Sequence, residues 1–420
     1  MSNRDSFSAS SQSRQHNHIA VVLTLGLIAL FTVMVLTFIA VSHYRDANET
    51  QMRDHLRAEL SVHREAVRSY LDNVAGDLQR LTSAPGSGEM LVAFERAAQS
   101  LGEDSAEKRQ RAYLYDNPNP PARRDALLRS TQGTAYDTVH ARYHSWLREL
   151  VNQRDYYDLF LVSADGDILY TVRKENDFAT SLRNGPFADT ELGATFTYLS
   201  ENSSVEKVAF RDFMPYAPSA YKPAAFVGRA LMTNRRFAGA LIVQLRARPL
   251  GILMDTARSL GDSGKAYLVG DDNLNRTASR TGEFQEPLKL TIDTVSVSRA
   301  LAGISGVESI DDHRGVDVLS AHAPLVWNGT QWALIVEVDR EMVDGPLQEL
   351  QNKLLLGGAL CVLIAVLLGW VLGAPVQSTY ERAMKNQKEY KNHKVSGEKH
   401  TSSEGEGIQQ QKMAKTKAQV

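Results

Sequence analysis

The chain is 420 residues long, carries a formal charge of −2 and is 43% hydrophobic. That length admits two or three ordinary domains. The near-neutral balance excludes a general nucleic-acid binder, and the apolar content excludes a chain disordered throughout.

Two windows depart from this average. Ile19 to Val41 and Leu354 to Leu372 contain neither a charged residue nor a proline. At 1.5 Å per residue they reach roughly 34 and 28 Å, enough for a hydrocarbon core of about 30 Å. The first is longer than the apolar part of a signal peptide, and no small-residue cleavage site follows it. Arg4 and Arg14 precede the first window, and nine Lys or Arg against five Glu follow Gly373. Two basic flanks predict two membrane spans with both termini cytoplasmic and the segment between them exported. The only cysteine, Cys361, lies in the second window, so no disulfide supports the exported part and its core must hold it.

In chain order, a cytoplasmic arm (1–18) and the first span (19–41) lead to a stalk helix over 42–84. Leu60, His63, Val67, Leu71, Val74, Leu78 and Leu81 follow a 3.5-residue period, which Pro85-Gly86 ends. This stripe packs either on its own domain or on a second copy. Residues 85–150 read as a helical segment, with helices over 91–101 and 126–150. Asn117-Pro118-Asn119-Pro120-Pro121 between them reads as a turn or extended loop.

From Tyr156 the period becomes two. Asp158-Leu-Phe-Leu-Val-Ser-Ala-Asp-Gly-Asp-Ile-Leu-Tyr-Thr-Val172 predicts a strand, an Asp-Gly turn and a strand, partly echoed at Lys265 to Leu274. Ala240-Leu-Ile-Val-Gln-Leu245 returns 93 residues later as Ala333-Leu-Ile-Val-Glu-Val338. Ala230-Leu231 and Ala323-Pro324 stand at the same offset, and hairpins turn near Thr233-Asn234 and at Asn328-Gly329. The order predicts an α+β fold with two tandem modules over 151–250 and 251–345. The second span (354–372) follows. A tail over 373–420, rich in Ser, Gly, Gln and Lys, reads as disordered.

Asp158-Leu-Phe-Leu-Val, Asp212-Phe-Met-Pro-Tyr-Ala-Pro-Ser219, Pro223-Ala-Ala-Phe226, Gly264-Lys-Ala-Tyr-Leu-Val-Gly270 and Trp332-Ala-Leu-Ile-Val-Glu337 resemble the double Cache sensor domains of bacterial receptors. Such domains are the periplasmic halves of chemotaxis receptors, sensor kinases and nucleotide cyclases, and the match runs over about residues 150–345. The resemblance implies a long N-terminal helix beside two PAS-like modules, a small ligand in the membrane-distal module, and a homodimer in the inner membrane. In amine sensors of that family an aspartate on the closing strand meets the ligand ammonium. The matching position here is Gln244, a neutral amide without a full counter-charge, and the family's Arg-x-Trp-Tyr-like carboxylate signature is not visible. Ala374-Pro375-Val376 resembles the opening of the family's signalling segment, but no kinase, cyclase or methylation domain follows it.

The residues themselves offer no nucleophile, metal or phosphate signature, so neither an enzyme nor a cofactor is expected. His140 and His144 share a helix face, read as solvated. Gly261-Asp-Ser-Gly264 lacks the Gly-Lys-Ser/Thr of a phosphate loop. Asn202, Asn275 and Asn328 open glycosylation-type triplets of little weight. For ligand contact the distal module offers Tyr170 and Arg173 after its first hairpin, Asp212 and Tyr216 in a Pro-punctuated loop, and Phe226 and Gln244 on later strands. Together they supply aromatic walls, a cation, an anion and an amide, although an Arg173–Asp212 ion pair would make two of them structural. The expected function is a small-molecule receptor that signals by helix displacement, either through a cytoplasmic partner or as a shortened copy of a longer receptor. A ligand-free scaffold that pairs with full-length receptors is the alternative.

Overall fold

The computed structural model describes residues 5–202, 207–255, 260–261, 263–278, 286–371, 384–387 and 389–390. The tail assigned to disorder lies almost wholly outside them. The chain forms two compact units, Met1–Ala47 with Gly345–Val420, and Asn48–Asp344.

The first unit holds the apolar part of helix α1 (Asp5–Ser83) and most of a closing helix, Arg340–Val371. Both helices are long and apolar enough to cross a membrane, and neither apolar stretch is buried. They meet at small residues: an added Cβ at Gly26 would stand 3.3 Å from Val366, and one at Gly358 would run into Val33. Glycine at such points lets two helices approach closely.

In the second unit α1 continues as a packing helix. Leu56, Leu60, His63, Val67, Leu71, Val74 and Leu78 are all buried. The 3.5-residue stripe therefore packs on its own domain, with Leu81 half-buried at its end. His63 is part of that core, its Nδ1 3.0 Å from the Leu253 carbonyl. Pro85 stops the helix, and α2 (Ser87–Gln99) turns back against the core. A short α3 (Ser105–Gln110) runs into a π-turn over Arg111–Tyr115, and a 3₁₀ turn over Pro121–Ala126 follows. The next helix, α4 (Ala135–Gln153), begins nine residues later than the 126 expected from the pattern. A capping box decides this: the Thr134 N–H donates to Asp137 Oδ2 (2.7 Å), and the Asp137 N–H donates to Thr134 Oγ1 (3.3 Å).

Two antiparallel sheets follow. The first comprises β1 (Asp158–Ser163), β2 (Ile168–Thr171), β3 (Val208–Tyr216), β4 (Lys222–Thr233) and β5 (Arg236–Leu245), in the order β2-β1-β5-β4-β3. The second comprises β6 (Lys265–Val269), β7 (Gly306–Asp311), β8 (Asp317–Trp327) and β9 (Thr330–Asp339), in the order β6-β9-β8-β7. The two echoing segments, β5 and β9, occupy equivalent places. The hairpins turn where the residues specified, with φ of 51° and 64° at Asn234 and Arg235, and 44° and 86° at Asn328 and Gly329. One echo needs adjusting. Ala240 faces Ala230 and Ala333 faces Pro324, so β4 and β8 correspond one residue out of step with β5 and β9. The register shift after Leu231 absorbs the difference.

Alternation along the strands makes three cores. Leu159, Leu161, Val243, Leu268, Leu334 and Val336 join the helices in one large cluster. Phe160, Val162, Phe226 and Ile242 face the other way, under α5 (Glu191–Glu201). Helix α5 sits so close that a Cβ at Gly228 would stand 2.9 Å from Leu199. Tyr267, Val269 and Ile335 form the third cluster with α7 (Val295–Leu301), α6 (Arg248–Met254) lying between the two sheets in sequence.

Because Leu71 is fully buried, Leu71→Asp buries an unpaired charge and is expected to cost several kcal/mol. Val62 is exposed on the same helix, so Val62→Asp is expected to change stability by no more than about 0.5 kcal/mol. Thermal denaturation followed by circular dichroism checks both.

Candidate functional site

The site grows out of strand register. On the α5 face of the first sheet, Asp158 of β1 stands opposite Gln244 of β5, which stands opposite Phe226 of β4. All three are buried at one end of the sheet. The segment after β2 folds over that end. It is turned by Lys174, whose φ is 59°, and brings Glu175 and Asp177 in beneath it. From the other side comes a 3₁₀ turn at Ala217–Ser219.

Asp158, Asp177 and Gln244 are each anchored by one half. Asp158 Oδ1 accepts backbone N–H bonds from Leu159 (2.7 Å), Val172 (2.8 Å) and Arg173 (3.0 Å). Asp177 Oδ2 accepts from the Tyr216 hydroxyl at 2.7 Å, and Gln244 Nε2 donates to Ser219 Oγ at 3.0 Å. Glu175 is occupied at both oxygens, by the Tyr157 hydroxyl (2.5 Å) and the Ser219 hydroxyl (2.7 Å). Asp158 Oδ2, Asp177 Oδ1 and Gln244 Oε1 have no hydrogen-bond partner among the described residues. The site thus holds three buried oxygens without a donor among the described residues, two of them on carboxyl groups. Tyr216 and Phe226, with ring centroids 5.1 Å apart, wall it.

Burial sets the electrostatics. It pushes Asp158 up to about 7, helped by the neighbouring Glu175 carboxylate, and pushes Asp177 well above the usual carboxylate range. Burial also lowers Lys174 to about 7, with Asp158 and Asp125 opposing the shift. The Lys174 ammonium lies 4.1 Å from the Tyr170 ring centroid and 5.1 Å from that of Phe178, and it donates to the Thr171 carbonyl. A cleft of about 890 Å³ opens beside Tyr157 and Gln244, and Lys222, Arg246, Arg248 and Lys289 are among its lining.

Of the residues singled out from the sequence, Tyr216, Phe226 and Gln244 meet in this site. Arg173 stands at its margin, half-buried, with its guanidinium over the Tyr157 ring at 5.3 Å and Nε donating to the Tyr157 carbonyl. Tyr170 points to the opposite face of the sheet, where its hydroxyl meets His144 Nδ1 at 2.7 Å. Asp212 and Tyr216 lie on β3 rather than in a loop, and Pro215 is accommodated because β3 is an edge strand. Asp212 pairs with Arg276 of the second sheet's side (2.8 Å), not with Arg173.

His140 and His144 are buried, contrary to the solvated face expected of them. His144 Nε2 donates to the Asp125 carbonyl and its Nδ1 accepts from Tyr170. Burial and the nearby Lys174 keep both imidazoles below their ordinary range. Asn275 is buried, its amide nitrogen donating to the Thr277 and Glu286 carbonyls, so its triplet is structural. The Asn202 triplet and Asp262 of the Gly-Asp-Ser-Gly segment involve residues outside those described. Sequence reasoning missed Asp158, Glu175 and Asp177. A carboxylate opening an otherwise apolar strand was the available signal for Asp158. The Lys-Glu-Asn-Asp run reads as an ordinary solvated turn.

No family model matches the chain, and no curated protein matches it. Among solved structures, the fold is similar to the ligand-binding domain of the Pseudomonas aeruginosa amino-acid chemoreceptor PctC in complex with GABA (13% identity, TM-score 0.39, 68% of this chain and 100% of that one). It is also similar to the ligand-binding domain of the Pseudomonas fluorescens chemoreceptor CtaA in complex with L-alanine (14%, 0.36, 69% and 97%). A third is an extracellular ligand-binding receptor from Desulfohalobium retbaense (14%, 0.34, 61% and 41%). Two of these are ligand-binding domains of chemoreceptors, and the third is an extracellular ligand-binding receptor. At such identities and TM-scores nothing about this chain's ligand follows from them.

Raised carboxyl groups lose stability for the fold as pH rises from their unfolded value through their folded one. With Asp158 moved from 3.8 to about 7, the ligand-free protein is expected to melt at lower temperature at pH 8 than at pH 5. Asp158→Asn, which keeps an acceptor oxygen for the three N–H groups, is expected to flatten that decline.

Proposed function

We propose that this chain is a membrane-bound sensor whose compact unit, Asn48–Asp344, binds a small solute outside the cytoplasm. In this reading both apolar helices span the inner membrane, both termini are cytoplasmic, and the chain acts by binding, without catalysis. The observation that carries it is that Asp158 Oδ2, Asp177 Oδ1 and Gln244 Oε1 are all buried at one end of the first sheet and lack donors among the described residues. Leaving such groups unsatisfied costs about 1–3 kcal/mol each, so the ligand presents several donors, and the two carboxylates favour a cationic head such as a protonated amine. Gln244 therefore does not have to supply the counter-charge alone.

Signalling follows as a population shift. Ligand favours one arrangement of the segment bearing Glu175 and Asp177. That segment contacts β3 through Tyr216, and β3 reaches the second sheet through Asp212 and Arg276. The output passes to a cytoplasmic partner, in a homodimer that associates through a surface other than the buried stripe of α1. A ligand-free scaffold remains the competing reading.

Thermal shift on the full chain in lipid nanodiscs, against small amines and their neutral isosteres, separates the two. Amines are expected to stabilise the protein, with affinity rising from pH 6 to 8 as the carboxyls ionise. Asp177→Asn is expected to weaken the best amine by about 1.5–3 kcal/mol, roughly ten- to 150-fold. Stabilisation by neutral or anionic solutes alone would overturn the cationic assignment, and none by any solute would favour the scaffold. For topology, a periplasm-active reporter is expected to be active when fused near residue 200 and silent after residue 400. Activity at both positions would remove the second span.

A further inference from the structure

The second sheet repeats the geometry of the first with different chemistry. Where Asp158, Gln244 and Phe226 stand in register, it has Lys265, Glu337 and Ser320. Glu337 is 1% exposed. Its Oε2 accepts from the Tyr267 hydroxyl at 3.0 Å, and its Oε1 has no hydrogen-bond partner among the described residues.

The turn from β7 to β8 brings Asp312 and His313 to the same place. One ligand atom each from Asp312, His313 and Glu337 lie within 4.8 Å of one another. Asp312 is buried and held rigidly. Its Oδ1 accepts N–H bonds from Arg314 (2.8 Å) and Val316 (3.1 Å), and its Oδ2 meets Arg314 at 2.6 Å. The turn is thus shaped before anything binds, while Glu337 keeps an open oxygen.

Two carboxylates and an imidazole at this spacing need only small side-chain rotations to meet one ion at about 2.0–2.2 Å. We propose that Asp312, His313 and Glu337 form a divalent metal site in the second sheet, separate from the solute site of the first. The donor set selects the metal. Calcium takes six to eight oxygens and magnesium keeps near-octahedral oxygen ligation, whereas imidazole with carboxylates suits zinc, nickel, cobalt or manganese. Arg314 on Asp312 and Lys265 beside Glu337 oppose a second cation, so the site is of moderate affinity and water fills the remaining positions. Its consequence is mechanical. A bound ion ties the β7–β8 turn to β9, and Glu337 precedes the closing helix by three residues.

The test uses the full chain in nanodiscs, stripped with EDTA and titrated calorimetrically with zinc, nickel, cobalt and manganese, with calcium and magnesium as controls. One ion per chain is expected to bind for at least one of the first four, at least tenfold more tightly than calcium or magnesium. His313→Ala and Glu337→Gln are each expected to weaken it at least tenfold. Replacing the N-terminal His16 and His18 by Ala, which removes an alternative histidine pair, is expected to change nothing. Circular dichroism verifies folding of each variant; if Glu337→Gln does not fold, His313→Ala decides. Absence of saturable binding, binding that survives His313→Ala, or binding lost with His16 and His18 overturns the site.

Discussion

One carboxylate organises the first sheet. Asp158 Oδ1 gathers three backbone N–H groups, two of them from the chain just after β2. Those bonds fix where the chain leaves the sheet. Leaving there, it must turn at Lys174 with a positive φ, and Glu175 and Asp177 then fall beneath the fold. The same residue's Oδ2 is buried without a partner among the described residues, and removing the carboxyl from water is what raises its affinity for a proton.

Around that point the molecule is built to exclude water on both faces of the sheet. On one face Lys174 is sheathed by Tyr170 and Phe178, which replace hydration by their ring quadrupoles. His140 and His144 stack beyond it, centroids 4.3 Å apart, as neutral packing groups. On the other face α5 seals the sheet. Between the sheets the buried Arg276 is held by Asp212 (2.8 Å) and Asp272 (2.9 Å), and Phe210 and Phe213 pack on Trp332. Breaking one partner of such a buried pair is costly, because the remaining charge has no water to turn to. β3 carries both Asp212 and Tyr216, so one strand touches the buried carboxyl cluster of the first sheet and the second sheet.

Much of the architecture was legible in the residues. Alternation marked β1 and β2, Asn-Gly and Thr-Asn marked the hairpin turns, and the repeated Ala-Leu-Ile-Val marked β5 and β9 as counterparts. The start of α4 was misplaced because apolar spacing extends beyond the helix, while the Thr134–Asp137 box alone sets its end. The site was half legible. Phe226 and Gln244 lie on strands and inherit their face from the period, whereas Tyr216, expected in a loop, reaches them from the end of β3. Tyr170 fell on the other face because the β1–β2 pairing shifts register between Leu161 and Val162.

The sequence by itself determined the local periods, the two apolar helices, the turns and the duplicated order of strands, because these depend on covalent geometry and on neighbours a few residues away. Only the tertiary structure decided that the 3.5-residue stripe of α1 is buried in its own core. Only it decided that Asp212 reaches Arg276, and that Asp158, Glu175, Asp177 and Gln244 converge. Those outcomes depend on register and burial. A carboxylate in a polar run looks the same in sequence whether it is solvated or enclosed, and the free energy that separates the two cases comes from groups placed beside it by the rest of the chain.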